Sequence, residues 1–221
     1  MPEHNGFALP RNDQRISIVG HTGSGKTWLA AWIIGRGGYL PRMPVVVIDY
    51  KFDKLLNSVE GAQELKLTAK APSRPGMYLV HPMPKEDVAV EDMLWKIWEK
   101  GNTLVYTDEA HMLPDEGALQ ALLTQGRSKK IPMITITQRP RWTSRFIFSE
   151  ADYHAAFHLV YPDDRKFVSG LFNADLHGLP EYHSAYHVVA KHKNFLLKPV
   201  PNDNVLREML ASQIKPRTFW V

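Results

Sequence analysis

Continuous runs of apolar residues recur along the chain before residue 140, and segments with helical periodicity separate several of them. The runs are RISIV (15–19), PVVVID (44–49), MYLVH (77–81), TLVYTDE (103–109) and IPMITITQ (131–138). Most of them do not alternate between apolar and polar positions, which is typical of strands that are covered on both faces. The pattern therefore predicts an α/β fold with a mainly parallel sheet flanked by helices.

Amphipathic segments account for the predicted helices. One runs from Lys26 to Gly35 after the first apolar run, a second covers 86–100 and a third covers 115–127. In the second and third segments, the apolar residues that share one face are Val90, Met93, Leu94 and Ile97, and Leu119, Leu122 and Leu123. An apolar stripe of this kind faces the core, so we expect these helices to cover the sheet.

The pattern changes after residue 140. Segment 151–161 has strand character, with a helix as the alternative, and 163–172 predicts a short helix with Asp163 near its N-cap. The segments SAYHVVA and NFLLKPV flank the turn KHKN and predict a β-hairpin. The apolar spacing of 204–214 predicts a terminal helix.

The chain length of 221 residues suits one α/β domain. We expect residues 1–221 to form that single domain, with an N-terminal arm (1–14), a core (15–145) and C-terminal strands, hairpin and helix (146–221). The apolar fraction of 44% and the charged fraction of 23% are ordinary for a soluble globular protein. The net charge of +4 permits nucleic acid binding without arguing strongly for it.

Composition also excludes several kinds of site. The sequence contains no cysteine, so disulfides, thiolate metal sites and a catalytic thiol are excluded. No apolar run approaches the roughly 18 to 20 residues of a membrane-spanning helix. The first residues also lack the basic-then-apolar order of a secretory signal. We therefore expect a cytosolic or particle-associated protein with no membrane insertion of its own.

The segment VGHTGSGKT satisfies the spacing G-x-x-x-x-G-K-[ST], which a chain of this length matches by chance on the order of once in a hundred. An apolar run enters the segment and a helix leaves it, as a phosphate-binding loop requires. The residues expected to bind ATP are Gly20, His21, Thr22, Gly23, Ser24, Gly25, Lys26 and Thr27. Lys26 is expected to reach the β and γ oxygens and the Thr27 hydroxyl to ligate Mg²⁺, whereas the alternative is a glycine-rich turn.

Two carboxylates and a glutamine follow later strands. Asp108 is expected to hold Mg²⁺, and the adjacent Glu109 to polarise a water in line with the γ-phosphate. The alternative is a carboxylate pair that caps the next helix. Gln138 ends the run 131–138, and it is expected to sense the γ-phosphate if that strand lies beside the strand of the phosphate loop. The alternative for Gln138 is an ordinary polar residue of the loop.

The motifs GHTGSGKT, VVVIDYK, LVYTDEAH and LLTQGRSKKIPMITITQRP together resemble the FtsK–HerA superfamily of P-loop motors. The resemblance covers 15–145, the expected ATPase core, and 146–221 match only loosely. Neither the winged-helix module of chromosome translocases nor the membrane anchor of conjugation coupling proteins is evident. The short form is similar to the genome-packaging ATPases of tailless double-stranded DNA viruses with internal membranes.

The resemblance implies a RecA-like P-loop NTPase core and ATP-driven, sequence-independent translocation of double-stranded DNA into a preformed capsid. It further implies a ring of subunits, expected to be a hexamer, with capsid or vertex membrane proteins as partners. The expected locations are the host cytoplasm and the vertex of the virion or procapsid. A cellular or plasmid DNA translocase, a nucleotide or small-molecule kinase, and a nucleotide-gated binding module remain alternatives.

By the same resemblance, Arg127 matches the arginine that this superfamily supplies in trans. A helix over 115–127 spans about 18 Å, and the strand over 131–138 returns by a little over 20 Å. Arg127 is therefore expected far from the phosphates of its own subunit, where only a neighbour's site could use it. The alternative is a solvated arginine in a basic cluster with Lys129 and Lys130.

Several other polar residues are left without a firm role. Asp49 and Lys51 could face the nucleotide or form a simple pair at a strand end. The pairs His183 with His187 and His154 with His158 are interpreted as core or surface histidines, because in a strand this spacing separates them by about 13 Å. Trp95 and Trp98 are interpreted as packing residues. The candidates for contact with DNA phosphates are Arg139, Arg141, Arg145, Lys191, His192 and Lys193.

Overall fold

A computed structural model describes residues 7–115 and 117–214. Within these residues, nine strands form one sheet. The strands are β1 Arg15–Val19, β2 Pro44–Ile48, β3 Gln63–Glu64, β4 Gly76–Val80, β5 Leu104–Thr107, β6 Met133–Thr137, β7 Tyr153–Ala156, β8 Ser184–Val188 and β9 Lys193–Leu197. The helices are α1 Lys26–Gly37, α2 Lys54–Asn57, α3 Asp87–Lys100, α4 Gly117–Gln125, α5 Arg145–Ser149, α6 Pro162–Phe172 and α7 Asp203–Ile214.

The strand order across the sheet is β3-β4-β2-β5-β6-β1-β7-β8-β9. All pairs from β3 to β7 are parallel, whereas β8 pairs antiparallel with both β7 and β9. Strand β6 lies between β5 and β1, and the last residue of β1, Val19, pairs with Thr137 of β6 and Ala156 of β7. The segments that follow β5, β6 and β1 therefore meet at one edge of the sheet.

The central strands are buried along their whole length, as their continuous apolar runs predict. Every residue of β1, β2, β5 and β6 is buried. In β2, Val45 and Val47 face a core cluster that includes residues of α1 and α7, whereas Val46 and Ile48 face a cluster with residues of α3 and α4. Each such side chain contributes roughly 1.5–3 kcal/mol when fully buried. The predicted sheet with helices on both faces is thus confirmed.

The residues before β1 that the structure describes pack onto the sheet. The ring of Phe7 lies 4.7 Å from the ring of Tyr186, centroid to centroid. The Tyr186 hydroxyl donates to the carbonyl of Ala8 at 3.0 Å, and the Tyr39 hydroxyl donates to that of Pro10 at 2.5 Å. Residues 1–6 of the predicted arm lie outside the described residues.

Three details of the sequence predictions need correction. The helix predicted over 115–127 covers only Gly117–Gln125, because the chain turns at Gly126, whose carbonyl accepts the N–H groups of Lys129 and Ile131. Of segment 151–161, only Tyr153–Ala156 forms a strand, and the helical alternative is wrong. Asp163 lies inside the first turn of α6, where Tyr161 is the N-cap residue and makes no side-chain capping bond.

The predicted hairpin is present as β8 and β9, joined through the 3₁₀ turn Val189–Lys191. The elements that the pattern did not predict are short: α2, α5 and β3. Among the described residues, no helix has both the length and the apolar character needed to cross a bilayer.

Candidate active site

The loop over residues 20–27, here called the phosphate loop, joins the end of β1 to the start of α1. Gly25 is the N-cap of α1 with φ of 101°, a left-handed conformation that residues with a side chain rarely adopt. A Cβ atom at Gly20 would lie 2.7 Å from both the Cβ of Phe157 and the Oγ of Ser24. The loop thus depends on glycine at both ends, and it presents the unbonded N–H groups at the N-terminus of α1.

Lys26 is buried, and its ammonium group donates to the carbonyl of His21 at 2.7 Å. Burial and, to a smaller extent, the charge of Lys51 lower the pKa of Lys26 to about 8, although Asp108 opposes the shift. A cation destabilised in this way gains more than an exposed lysine does from a nearby anion. Lys26 is accordingly placed to gain from a bound phosphate.

Asp108 and Glu109 follow β5 but face different surroundings. Asp108 is buried and lines the same cavity as Lys26 and Thr27. Burial raises the pKa of Asp108 to about 6, with Lys51 opposing the shift and Asp49 adding to it.

Glu109 has a left-handed backbone with φ of 51°, which is strained in a residue with a side chain. Its carboxylate contacts the ammonium group of Lys51 through Oε1 and lies 3.2 Å from Nδ1 of His111 through Oε2. Glu109 thus contacts Lys51 and His111, whereas Asp108 lines the cavity, and the predicted catalytic and metal-binding roles of the two carboxylates stay predictions.

Gln138 follows β6 and contacts the phosphate loop. Its side-chain oxygen Oε1 accepts a hydrogen bond from the Thr22 hydroxyl. Strand β6, which Gln138 follows, pairs with β1, which the phosphate loop follows. The two strands are therefore neighbours, as the predicted role of Gln138 requires. The predicted role of Gln138 as a sensor of the γ-phosphate stays a prediction.

Arg127 lies near the start of β1, at the end of the sheet opposite the phosphate loop. Its Nη2 is 2.5 Å from Oδ1 of Asp152, and Oδ2 of Asp152 accepts the backbone N–H of Arg15 at 2.9 Å. Arg15 is the first residue of β1, and the phosphate loop follows Val19, the last residue of β1. The length of the strand, about 13 Å, therefore separates Arg15 from the phosphate loop. Arg127 is therefore remote from its own phosphate loop, although α4 is shorter than predicted.

A cavity of about 570 Å³ opens beside the phosphate loop. Its lining includes Lys26, Thr27, Lys51 and Asp108. Residues of α1 and of the C-terminal part of the chain also line it, namely Trp28, Phe157, Tyr182, Lys198, Pro199 and Val200. The lining contributed by Phe157, Tyr182 and residues 198–200 has no local signal in the sequence, because the order of β7, β8 and β9 in the sheet brings these residues together.

No family model matches the chain. A curated relative, DNA packaging ATPase P9 of Enterobacteria phage PRD1, is 40% identical over 225 residues, which covers 96% of this chain and 98% of the phage protein. The chain belongs to this family of DNA packaging ATPases. Membership confirms the resemblance to viral genome-packaging ATPases, and with it the prediction of an ATPase.

Solved structures share the fold of this packaging ATPase. The genome packaging NTPase B204 of Sulfolobus turreted icosahedral virus 2, in complex with AMPPCP, superposes with a TM-score of 0.74 at 18% identity, covering 87% of this chain and 100% of B204. EccC of Thermomonospora curvata (ATPases 2 and 3) gives a TM-score of 0.61 at 10% identity, covering 94% of this chain and 42% of EccC. At these identities the likeness concerns the fold alone, and it confirms the predicted P-loop NTPase architecture.

Within the part of this packaging ATPase that the structure describes, the histidines do not converge on a metal site. His154 and His187 are buried cross-strand neighbours on β7 and β8, with ring centroids 6.1 Å apart. Nδ1 of His154 lies 2.7 Å from the Ser17 hydroxyl, and burial lowers the pKa of His154 to about 4. Over residues 7–115 and 117–214, no three or more His, Cys, Asp or Glu side chains form a cluster that could hold a metal ion.

The basic residues considered for DNA contact occupy two places. At the hairpin tip, Lys191, His192 and Lys193 are exposed. After β6, the guanidinium of Arg139 lies 5.2 Å from the ring of Trp142, and Arg141 pairs with Asp163 at 2.8 Å. Trp95 and Trp98 pack against each other and against the core cluster between the sheet and α3, as predicted.

Proposed function

We propose that this protein is the ATPase of a viral genome-packaging motor and moves double-stranded DNA into a preformed capsid at the expense of ATP. The observation that carries the proposal is that Lys26, Asp108, Glu109 and Gln138 lie together at one edge of the sheet. The chain that carries them belongs to a family of DNA packaging ATPases. The solved complex of B204 with AMPPCP supports nucleotide binding by this fold.

The cavity beside the phosphate loop receives the nucleotide. Its volume of about 570 Å³ lies within the usual range for a small-molecule site. The phosphates bind against the N–H groups of the phosphate loop and Lys26, because an anion is favoured at a helix N-terminus. The nucleobase then lies toward Trp28, Tyr182 and Pro199, whose flat apolar faces suit a purine.

Thr27 and Asp108 are the residues that would hold Mg²⁺. Both line the cavity together with Lys26, and a hydroxyl with a carboxylate is an oxygen donor set that Mg²⁺ accepts. A cation beside Asp108 also favours the ionised carboxylate, which burial disfavours. When bound, Mg²⁺ supplies charge neutralisation at the β- and γ-phosphates.

Glu109, Lys26 and Gln138 have different roles in the hydrolysis of ATP. Glu109 accepts a proton from the attacking water, which becomes a hydroxide nucleophile toward the γ-phosphorus as the bond to the bridging oxygen breaks. Lys26 offsets negative charge on the β and γ oxygens. Gln138 contacts the phosphate loop through Thr22, so a change at the γ-phosphate is transmitted to the segment after β6.

Arg127 acts on the nucleotide of a neighbouring subunit. Its position at the edge opposite its own phosphate loop, with the side chain half exposed, supports this role. An arginine supplied across an interface stabilises the charge of the transition state. The protein accordingly works as a ring of subunits, for which we expect a hexamer.

DNA is gripped through its phosphates without preference for a base sequence. The candidates for this contact are Lys191, His192, Lys193, Arg145, Arg141 and Arg139. The motor works in the infected host cell at the assembling virus particle, and its partners are capsid or membrane proteins at a vertex. Detection of the protein at that vertex separates this account from a cellular or plasmid translocase.

Measurement of ATP turnover with and without duplex DNA tests the proposal. We expect duplexes of unrelated sequence to accelerate turnover equally and the acceleration to fall steeply with salt. A nucleotide kinase would instead transfer the phosphate to an acceptor and ignore DNA, and a nucleotide-gated module would hydrolyse slowly whether or not DNA is present. Turnover that DNA does not change would overturn the assignment as a motor.

A further inference from the structure

Asp49 fixes the conformation of the loop that follows β2. The Asp49 carboxylate is fully buried. Oδ1 accepts the backbone N–H of Lys51 at 3.0 Å, and Oδ2 accepts that of Asp53 at 2.7 Å and the side-chain amide of Asn57 at 2.9 Å. Asp53 in turn caps α2 by accepting the N–H groups of Leu55 and Leu56. The backbone around Lys51 is therefore held by hydrogen bonds on both sides.

This loop carries the side chain of Lys51 to the edge of the sheet where β5 ends. The Lys51 ammonium group contacts Oε1 of Glu109, whose side chain is only 4% exposed, whereas that of Lys51 is 39% exposed. Lys51 also lines the cavity beside the phosphate loop, together with Lys26 and Asp108. Lys51 therefore contacts the buried carboxylate of Glu109 and also lines the nucleotide cavity.

A buried carboxylate beside a phosphate site needs such a cation. An ionised carboxylate without a partner is costly to bury, and an approaching γ-phosphate repels it further. The other neighbour of Glu109, His111, cannot supply the charge at neutral pH, because burial and Lys51 lower the pKa of its imidazole. Lys51 supplies that charge.

We propose that Lys51 is a positioning residue that holds the Glu109 carboxylate in its orientation at the nucleotide cavity. The inference rests on the proposed role of Glu109 as the base. Removal of the ammonium group leaves Lys26 and the phosphate loop intact, so nucleotide affinity changes little. The turnover number falls, because Glu109 loses the contact that orients it and turns away from the water that it activates.

The test uses the full-length assembled protein with Mg²⁺, ATP and duplex DNA. Lys51→Met keeps the length of the side chain and removes its charge, and we expect the turnover number to fall about 10- to 100-fold with less than about a twofold change in the dissociation constant of a fluorescent ATP analogue. Lys51→Arg keeps the cation and should recover most of the turnover. Lys54→Met removes a charge from the exposed start of α2 and serves as the matched control with parental turnover.

Glu109→Gln is measured in parallel, alone and combined with Lys51→Met. Because Lys51 acts through Glu109, the double variant should be no slower than Glu109→Gln alone. Parental turnover in Glu109→Gln would overturn the assignment of the base in the proposed function. An inactive Glu109→Gln together with parental turnover in Lys51→Met, or a loss of nucleotide affinity in Lys51→Met like that of Lys26→Ala, would overturn the role of Lys51 alone.

Discussion

The Arg127 guanidinium and the Asp152 carboxylate form an ion pair, with 2.5 Å between Nη2 and Oδ1, at the edge of the sheet where β1 begins. The phosphate loop lies at the other edge, where β1 ends. Asp152 also accepts the backbone N–H of Arg15, so the pair is anchored to the sheet. Arg127 is therefore held away from its own nucleotide cavity and offered at the surface, which leads to the first prediction.

Arg127→Ala should bind ATP as the parent does but hydrolyse it about 10³-fold more slowly in assembled rings, because the transition-state charge loses its cation. Lys130→Gln removes a charge from the same turn and should leave turnover unchanged. In addition, the specific activity of the parent should rise with protein concentration as rings assemble. Parental turnover by Arg127→Ala rings would show that this residue is not the trans arginine.

Mixing two inactive variants tests the same interface by complementation. Lys26→Ala does not bind ATP but still offers an intact Arg127 to its neighbour, whereas Arg127→Ala offers an intact phosphate loop. Mixed rings contain interfaces that pair the intact loop with the intact arginine, so mixing should restore part of the ATPase activity. Steady-state hydrolysis at a fixed total protein concentration measures it, with each variant alone as the control.

Lys26→Ala and Glu109→Gln should separate binding from chemistry. Loss of the Lys26 charge removes the cation that faces the β and γ oxygens, so tight binding of Mg·ATP should be abolished. Glu109→Gln removes only the base, so binding should remain while hydrolysis falls by about 10²-fold or more. Equilibrium binding of a fluorescent ATP analogue and single-turnover hydrolysis measure the two effects. Equal losses of affinity in both variants would contradict the division of roles.

The ionised Asp108 carboxylate should lower the free energy of unfolding of the nucleotide-free protein at neutral pH. Burial raises the pKa of this carboxyl from 3.8 to about 6, so the folded protein binds its proton more tightly than the unfolded chain does. The stability that this proton contributes is complete below pH 3.8 and is lost as the pH rises through about 6.

Asp108→Asn should therefore raise the free energy of unfolding by on the order of 1–3 kcal/mol at about pH 8, with little effect at about pH 4. It should also abolish hydrolysis that depends on Mg²⁺. Denaturant unfolding of both proteins without nucleotide, at the two pH values, measures the difference. A variant less stable than the parent at about pH 8 would contradict the expected sign.

The features of the fold and site that could be predicted from the sequence are those that depend on residues close together in the chain. The five main strands follow from continuous apolar runs, since a strand buried on both faces has no polar alternation, and the phosphate loop follows from glycine spacing between a strand and a helix. The boundaries of α4 could not be predicted from apolar spacing alone, because the turn at Gly126 is stabilised by bonds from residues further along the chain.

Other parts of the site depend on contacts between distant segments. The contact of Lys51 with Glu109 depends on the Asp49 hydrogen bonds and on the pairing of β2 with β5. The part of the cavity lining that comes from Tyr182 and Pro199 depends on the antiparallel addition of β8 and β9 to the sheet. Neither arrangement leaves a local pattern in the sequence.

The most direct test of the account is displacement of a third strand from duplex DNA, because it reports movement along the duplex rather than hydrolysis. The assembled protein with Mg²⁺ and ATP should displace the third strand from duplexes of unrelated sequence at similar rates, and Lys26→Ala and Glu109→Gln should not. ATP turnover that DNA accelerates, without displacement of the third strand from any duplex, would contradict the claim that this protein is a DNA-translocating motor.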